Sequence, residues 1–237
     1  MFGHFLASAS CVLFATCAAT VPGEQYILAP KERTLKPIAV YATEGRVTDA
    51  QALLTSSEGS SSTTFSGINS TITFDFGKNI AGTVHINVDS SSGPDEFIGF
   101  TFTESSLWIS PYHCDSGTAA LFDDPLWFSV PSVGVYNAEK KRQRGGFRYM
   151  SMWHNSTGML SISDLSVNFT ASPEMQDPTA YAGHFVSDNE KLNRVWYAGA
   201  YTNQLCIVDP VYNNALGVPG TNWYYNVTIS SECIFHT

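Results

Sequence analysis

Charge is what this sequence has least of. Of its 237 residues 14% are Asp, Glu, Lys or Arg, with 12 basic against 21 acidic. A net charge of −9 excludes nucleic acid as the main partner, because phosphate binding needs a clustered basic face. The one basic cluster, Lys140-Lys141-Arg142-Gln143-Arg144, is expected to be a solvated loop. Also missing are a Gly-rich phosphate loop, a serine nucleophile elbow and paired metal ligands at zinc spacing. No cofactor and no metal is therefore expected. After the first twenty residues no apolar run is long enough to span a bilayer, so no membrane partner is expected either. A disordered tail is excluded by what is abundant, 43% hydrophobic and 13% aromatic residues.

Met1 to Ala19 contains no charged side chain, and Cys17-Ala18-Ala19-Thr20 supplies small residues before charge first appears at Glu24. This pattern predicts a secretory signal peptide over residues 1–20 and an extracellular product. Four sequons agree with secretion, at Asn69, Asn155, Asn168 and Asn226. Cys11 and Cys17 belong to the leader, so Cys114, Cys206 and Cys233 allow one internal disulfide whose pairing stays open.

From Gln25 to Ala171 the dominant period is two. Thr71-Ile72-Thr73-Phe74-Asp75-Phe76 alternates, as do Val84, Ile86 and Val88 with His85 and Asn87. Ile98, Phe100 and Phe102 form another set, and Phe147, Tyr149 and Trp153 are expected to share a face. Leu160-Ser161-Ile162 and Leu165 to Phe169 read as a strand pair around a Ser163-Asp164 turn, and Gly77-Lys78-Asn79 as another turn. Many short alternating strands predict a mainly β protein, a two-layer antiparallel β-sandwich. Its expected core includes Ile72, Phe74, Val84, Ile86, Phe100 and Phe147.

After Pro173 the period changes. Ser187-Asp188-Asn189-Glu190 has the capping-box pattern, and Leu192, Val195, Trp196 and Gly199 follow at helical spacing. A helix from about Asp188 to Cys206, ended by Asp209-Pro210, is predicted, with Leu192, Val195 and Trp196 as an apolar stripe that neighbouring helices of a full helical domain would cover and that is expected to be poorly covered here. One helix cannot build a core, so it packs on the sandwich or begins a helical domain.

Phe74-Asp75-Phe76-Gly77-Lys78-Asn79-Ile80-Ala81-Gly82-Thr83-Val84 resembles the DFG-x-N-x-x-G segment of α-L-rhamnosidases, glycoside hydrolase family 78. Gly146-Phe147-Arg148-Tyr149-Met150 is similar to that family's GFRY strand, and Phe185 to Trp196 to the start of its catalytic domain. Tyr197 to Pro210, with Gly217 to Ser230, is most similar to the fungal secreted branch, and the resemblance as a whole covers roughly Tyr26 to Ser230. After the leader at 1–20, the resemblance implies a β-sandwich at 21–173 and at 174–237 the start of a truncated (α/α)6 six-hairpin domain. It also implies inverting hydrolysis of terminal α-L-rhamnose from plant glycosides by the whole family enzyme. Inversion needs an acid and a base about 6.5–9.5 Å apart in one pocket. The family's catalytic segment would follow Ser230, where Ser231-Glu232-Cys233-Ile234-Phe235-His236-Thr237 stands instead. No catalytic residue is therefore carried over, and the chain alone is expected to be inactive.

Within the chain, Glu104, Asp115, Asp123 and Asp124 surround Trp108, Tyr112 and Trp127. Solvated loop carboxylates are the expectation; two of them converging in a deep cleft would mark a small complete hydrolase. Trp108, Tyr112 and Trp127 on one exposed face would instead favour a sugar-binding module, with rhamnosylated glycosides as the carbohydrate partner. His113-Cys114-Asp115 is too sparse for a metal site, His85 and His154 are expected at the surface, and Arg148 in a structural ion pair.

Overall fold

The computed structural model describes residues 21–55, 61–115 and 125–207. The leader, Asp123, Asp124, Asp209-Pro210, Asn226 and Cys233 lie outside the described residues. The strands are β1 (Thr34–Leu35), β2 (Ala39–Glu44), β3 (Val47–Thr48), β4 (Thr63–Ser66) and β5 (Ser70–Ser91). They continue as β6 (Glu96–Thr103), β7 (Leu126–Val130), β8 (Gly134–Asn137), β9 (Arg144–His154) and β10 (Met159–Phe169), before helix α1 (Glu190–Cys206).

All pairings are antiparallel, and β5 belongs to both layers of the sandwich. Its first part, Thr71 to Asp75, lies between β2 and β9, with β6 and β7 beyond β9. Its second part, Gly82 to Ser91, lies beside β10, and β8 flanks its other edge at His85 to Val88. Beyond β10 come β4 and β3, with β1 on the far end of β10. The expected turn at Gly77-Lys78-Asn79 is thus a crossing. The ladder with β9 skips between Asp75 and Ile80, and Gly77 adopts φ +77°, which a side chain resists.

The expected hairpin at Ser163-Asp164 is also absent. Met159 to Phe169 is one strand, bulged where Ile162 faces Val88 and Asp164 faces Asn87. Leu160 and Ile162 lead to Leu165, Val167 and Phe169, a step of three in an alternation of two. The extra residue restores the phase, so all five side chains stay buried.

The core holds every side chain expected there: Ile72, Phe74, Ile86 and Phe100 are fully buried, and Val84 and Phe147 are 1% exposed. Phe147, Tyr149 and Trp153 do not share a face. Phe147 packs on Phe76 and Phe102 inside the core, whereas Tyr149 meets Tyr41 and Trp153 meets Tyr112 and Trp127 on the outside. The register skip beside Ile80 lies between these two groups. Of the basic cluster, Lys140 to Arg142 form an exposed 3₁₀ turn. Gln143 and Arg144 are buried, and the Arg144 guanidinium lies 5.1 Å from the centre of the Phe102 ring.

Helix α1 begins two residues later than the capping box implies. Asn189 is the N-cap, its Oδ1 accepting from the backbone N–H groups of Lys191 and Leu192. Ser187 braces the preceding turn by donating to Asn193 Oδ1, and Glu190 accepts from Tyr26 and Arg194 instead of closing a box. The docked face is Asn193, Tyr197, Tyr201, Gln204 and Leu205. The apolar stripe is on the other side and, as expected, poorly covered at Leu192 and Val195, 48% and 67% exposed, with Trp196 half-buried against Phe185.

Candidate functional site

Two places join elements distant in sequence. The first is the β5 crossing, where two of the segments carrying the family resemblance, 74–84 and 146–150, meet and the C-terminal half of α1 docks. Asp75 accepts two hydrogen bonds from Arg148, from Nε and Nη2, each 2.8 Å. This is the expected structural ion pair, and it holds the Asp75 carboxyl below its usual range. Phe76 meets Phe147 edge-on at 5.8 Å. The Asn79 carbonyl accepts from Tyr201 on α1 at 2.6 Å, and the Asn79 amide donates to Glu104 at 3.1 Å. Burial pushes the Tyr201 phenol up, with Tyr181 adding to it, so the hydroxyl stays a donor. Replacing Tyr201 by Phe is expected to cost about 1 kcal/mol and to speed amide exchange in α1 more than in the strands.

Glu104 and Asp115 stand next to this junction. The Glu104 N–H donates to Asp115 Oδ2 at 3.2 Å, and the Thr103 hydroxyl bonds the same oxygen. Partial burial pushes the Glu104 carboxyl up, opposed by the Asn79 bond, and the Asp115 charge adds to the rise. Yet both residues are exposed, and Asp115 spends Oδ2 holding its own loop. Two hollows lie elsewhere, one beside Arg33, Lys140, Gln143 and Asn168, the other beside Glu24 and Lys31; neither is lined by two carboxylates. Among the described residues no group of His, Cys, Asp and Glu is arranged to hold a metal, and His113 is exposed.

The second place is the outer face of the β7-β6-β9 layer. Gly99 lies opposite Trp127 on one side and Trp153 on the other. The Trp127 ring lies across it, so close that a Cβ on Gly99 would sit 2.7 Å from that ring. Trp127 meets Trp153 at 4.9 Å, and Tyr112 meets Trp153 edge-on at 4.7 Å. The loop carrying Tyr112 is tied down by Thr101, whose hydroxyl donates to Ser110 O at 2.5 Å. Of the three aromatics expected together, Tyr112 and Trp127 share this cluster, 44% and 39% exposed. Trp108 ends a separate 3₁₀ turn at 67% exposure. Trp153, the centre of the cluster, is the residue the sequence reading missed; its parity with Ser151 on an outward face was the available signal.

His154 departs from expectation. It is fully buried, Nε2 2.7 Å from Glu96 Oε2 and Nδ1 2.9 Å from Gly67 O. Met150 and Met152, both buried, put His154 on the core face by strict alternation. His85 stays partly exposed, its Nδ1 2.6 Å from Asn137 Oδ1. The sequon residues Asn69, Asn155 and Asn168 are all exposed.

No family model and no curated protein matches this chain. Among solved structures it is similar to a rhamnosidase from Klebsiella oxytoca with rhamnose bound, at 18% identity and a TM-score of 0.48, over 78% of this chain and 37% of that one. It is also similar to an α-L-rhamnosidase from Dictyoglumus thermophilum, at 16% identity and a TM-score of 0.43, over 77% of this chain and 17% of that one. A CBM32 module produced by Clostridium perfringens is similar at 14% identity and a TM-score of 0.38, over 59% of this chain and 95% of the module. The chain thus spans well under half the length of either rhamnosidase.

Proposed function

We propose that this chain is a non-catalytic, amino-terminal β-sandwich portion of a secreted α-L-rhamnosidase-like glycoside hydrolase. One observation carries the reading. Two of the segments that resemble the family, 74–84 and 146–150, are far apart in sequence yet meet where β5 crosses layers, and the helix begun by the third, 185–196, docks there through Tyr201. Leu192 and Val195, exposed opposite the docked face, also fit a helix that begins a larger helical domain. Domain limits of 21–173 and 174 onward follow from the same reading. So do secretion and glycans on exposed asparagines.

A second reading, an autonomous carbohydrate-binding module, is favoured by Trp127, Tyr112 and Trp153 on one sheet face. Aromatic rings held this way offer an apolar face for the C–H side of a pyranose. Incubating the purified chain with an aryl α-L-rhamnoside is expected to give no turnover, since neither of the two hollows is lined by two carboxylates. Turnover abolished by Glu104→Gln would overturn both readings. Tryptophan fluorescence titrated with rhamnose-bearing glycosides separates them. Saturable binding weakened about tenfold by Trp127→Ala supports the module; a flat titration supports the scaffold.

A further inference from the structure

Phe97, the second residue of β6, leaves 41% of its surface exposed beside a sequon. Ile98 faces His154 and Gly99 faces Trp153, so the register sets Phe97 opposite Asn155, whose N–H donates to Phe97 O at 3.4 Å. Directly opposed side chains on one face of such a pair have Cβ atoms about 4.5–5.5 Å apart. The next residue locks the arrangement. Ser156 Oγ accepts from the Phe97 N–H at 3.0 Å and donates to Asp95 O at 3.4 Å. Trp153, two residues before Asn155, falls on the same face by alternation, its indole Nε1 buried without a hydrogen-bond partner. Asn155 and Thr157, the first and last sequon positions, are both exposed and within reach of a transferase. Asn168 differs: its cross-strand neighbours are Thr34 and Thr83, and neither carries a ring.

We propose that the N-acetylglucosamine linked to Asn155 stacks on Phe97, making that sugar a packed part of the sandwich surface. The bond joins Asn155 Nδ2 to C1 of the first sugar of a lipid-pyrophosphate-linked oligosaccharide. The pyrophosphate leaves with the lipid, and the amide proton passes to a base of the transferase. The C–H face of the pyranose covers the exposed ring. Because strand and turn already hold both partners, little freedom is lost in bringing them together. The inference rests on the reading of the chain as a secreted glycoprotein.

The test uses the full chain secreted from a eukaryotic host, with each sequon's occupancy read by mass spectrometry and glycans trimmed to a single sugar. Thr157→Ala, which removes the glycan and keeps Asn155, is expected to lower Tm by about 2–4 °C. Phe97→Ala should do the same, and the double variant should fall no further than either. The N-acetyl methyl proton of that sugar should be shifted upfield by the ring in the parent and return to its ordinary position in Phe97→Ala. Asn168→Gln should leave Tm unchanged. Additive shifts, or an unshifted methyl signal, overturn the inference. Asn155 empty while Asn69 or Asn168 carries sugar overturns it alone; all sites empty overturns the glycoprotein reading and the inference together.

Discussion

Replacing His154 by alanine is expected to destabilise the sandwich by about 3–5 kcal/mol, because it empties a fully buried ring site and strips the buried Glu96 carboxylate of a hydrogen-bond partner. The ring stands between two partners, Gly67 O and Glu96 Oε2. Glu96 is 5% exposed, and its other oxygen accepts from Ser92 Oγ at 2.7 Å. Without the imidazole the carboxylate keeps hydroxyl donors alone. The pair also ties together the end of β9, the start of β6 and the turn before β5, so its loss loosens one whole end of the sandwich. Chemical denaturation of parent and variant measures the effect, and a loss below about 1 kcal/mol would contradict a buried, hydrogen-bonded ring at this place. His154→Gln, which keeps an amide donor toward Glu96, should lose less.

The same pair sets an acid limit. Burial pushes the Glu96 carboxyl up, but hydrogen bonds from Ser92, His154 and Ser156 and the His154 charge outweigh it, so the carboxyl lies below its ordinary value of 4.5. A carboxyl lowered by folding contributes stability that is fully present above its unfolded pKa and is lost as pH falls through the folded one. The parent should therefore lose stability more steeply below pH 4.5 than Glu96→Gln does.

Gly82→Ala is expected to cost about 3 kcal/mol, a fall in Tm of roughly 6–12 °C. An added Cβ would stand 2.0 Å from the Asn168 carbonyl oxygen and 2.8 Å from its carbon. Those atoms are backbone, so no side chain can swing aside, and β5 and β10 must part where Gly82 pairs with Phe169. The core residues Val84 and Val167 lie next along that seam. Gly93→Ala is the control: nothing lies within 4 Å of its added Cβ, and its stability should stay within about 0.5 kcal/mol of the parent. A neutral Gly82→Ala would mean that the two strands are not packed this closely.

Strand-forming segments and their core faces were legible because alternation is a local property. Val84, Ile86 and Val88 need only their own spacing to show which way they point, and all three are buried. The existence of α1 was legible for the same reason. Its docked face was not. Hydropathy selects Leu192, Val195 and Trp196, whereas the surface beneath α1 offers the carbonyls of Asn79 and Pro178 to Tyr201 and Gln204. A buried hydrogen bond makes a polar side chain a good interior residue, and no hydrophobicity pattern registers the partner that satisfies it. The candidate site divides likewise. Tyr112 and Trp127 stand out as exposed aromatics, but Trp153 joins them only because β9 runs beside Gly99.

By itself the sequence determined the β class, the core residues, the helix and the position of each sequon, because each depends on residues within a few places of one another. Tertiary structure alone decided that β5 serves both layers, that His154 is buried against Glu96, that α1 turns its polar aromatic face inward, and that Phe97 lies opposite Asn155. Each of these is a pairing across tens of residues. Register and layer are set by which strands meet, and a one-residue bulge, as at Ser163, changes the face of everything after it.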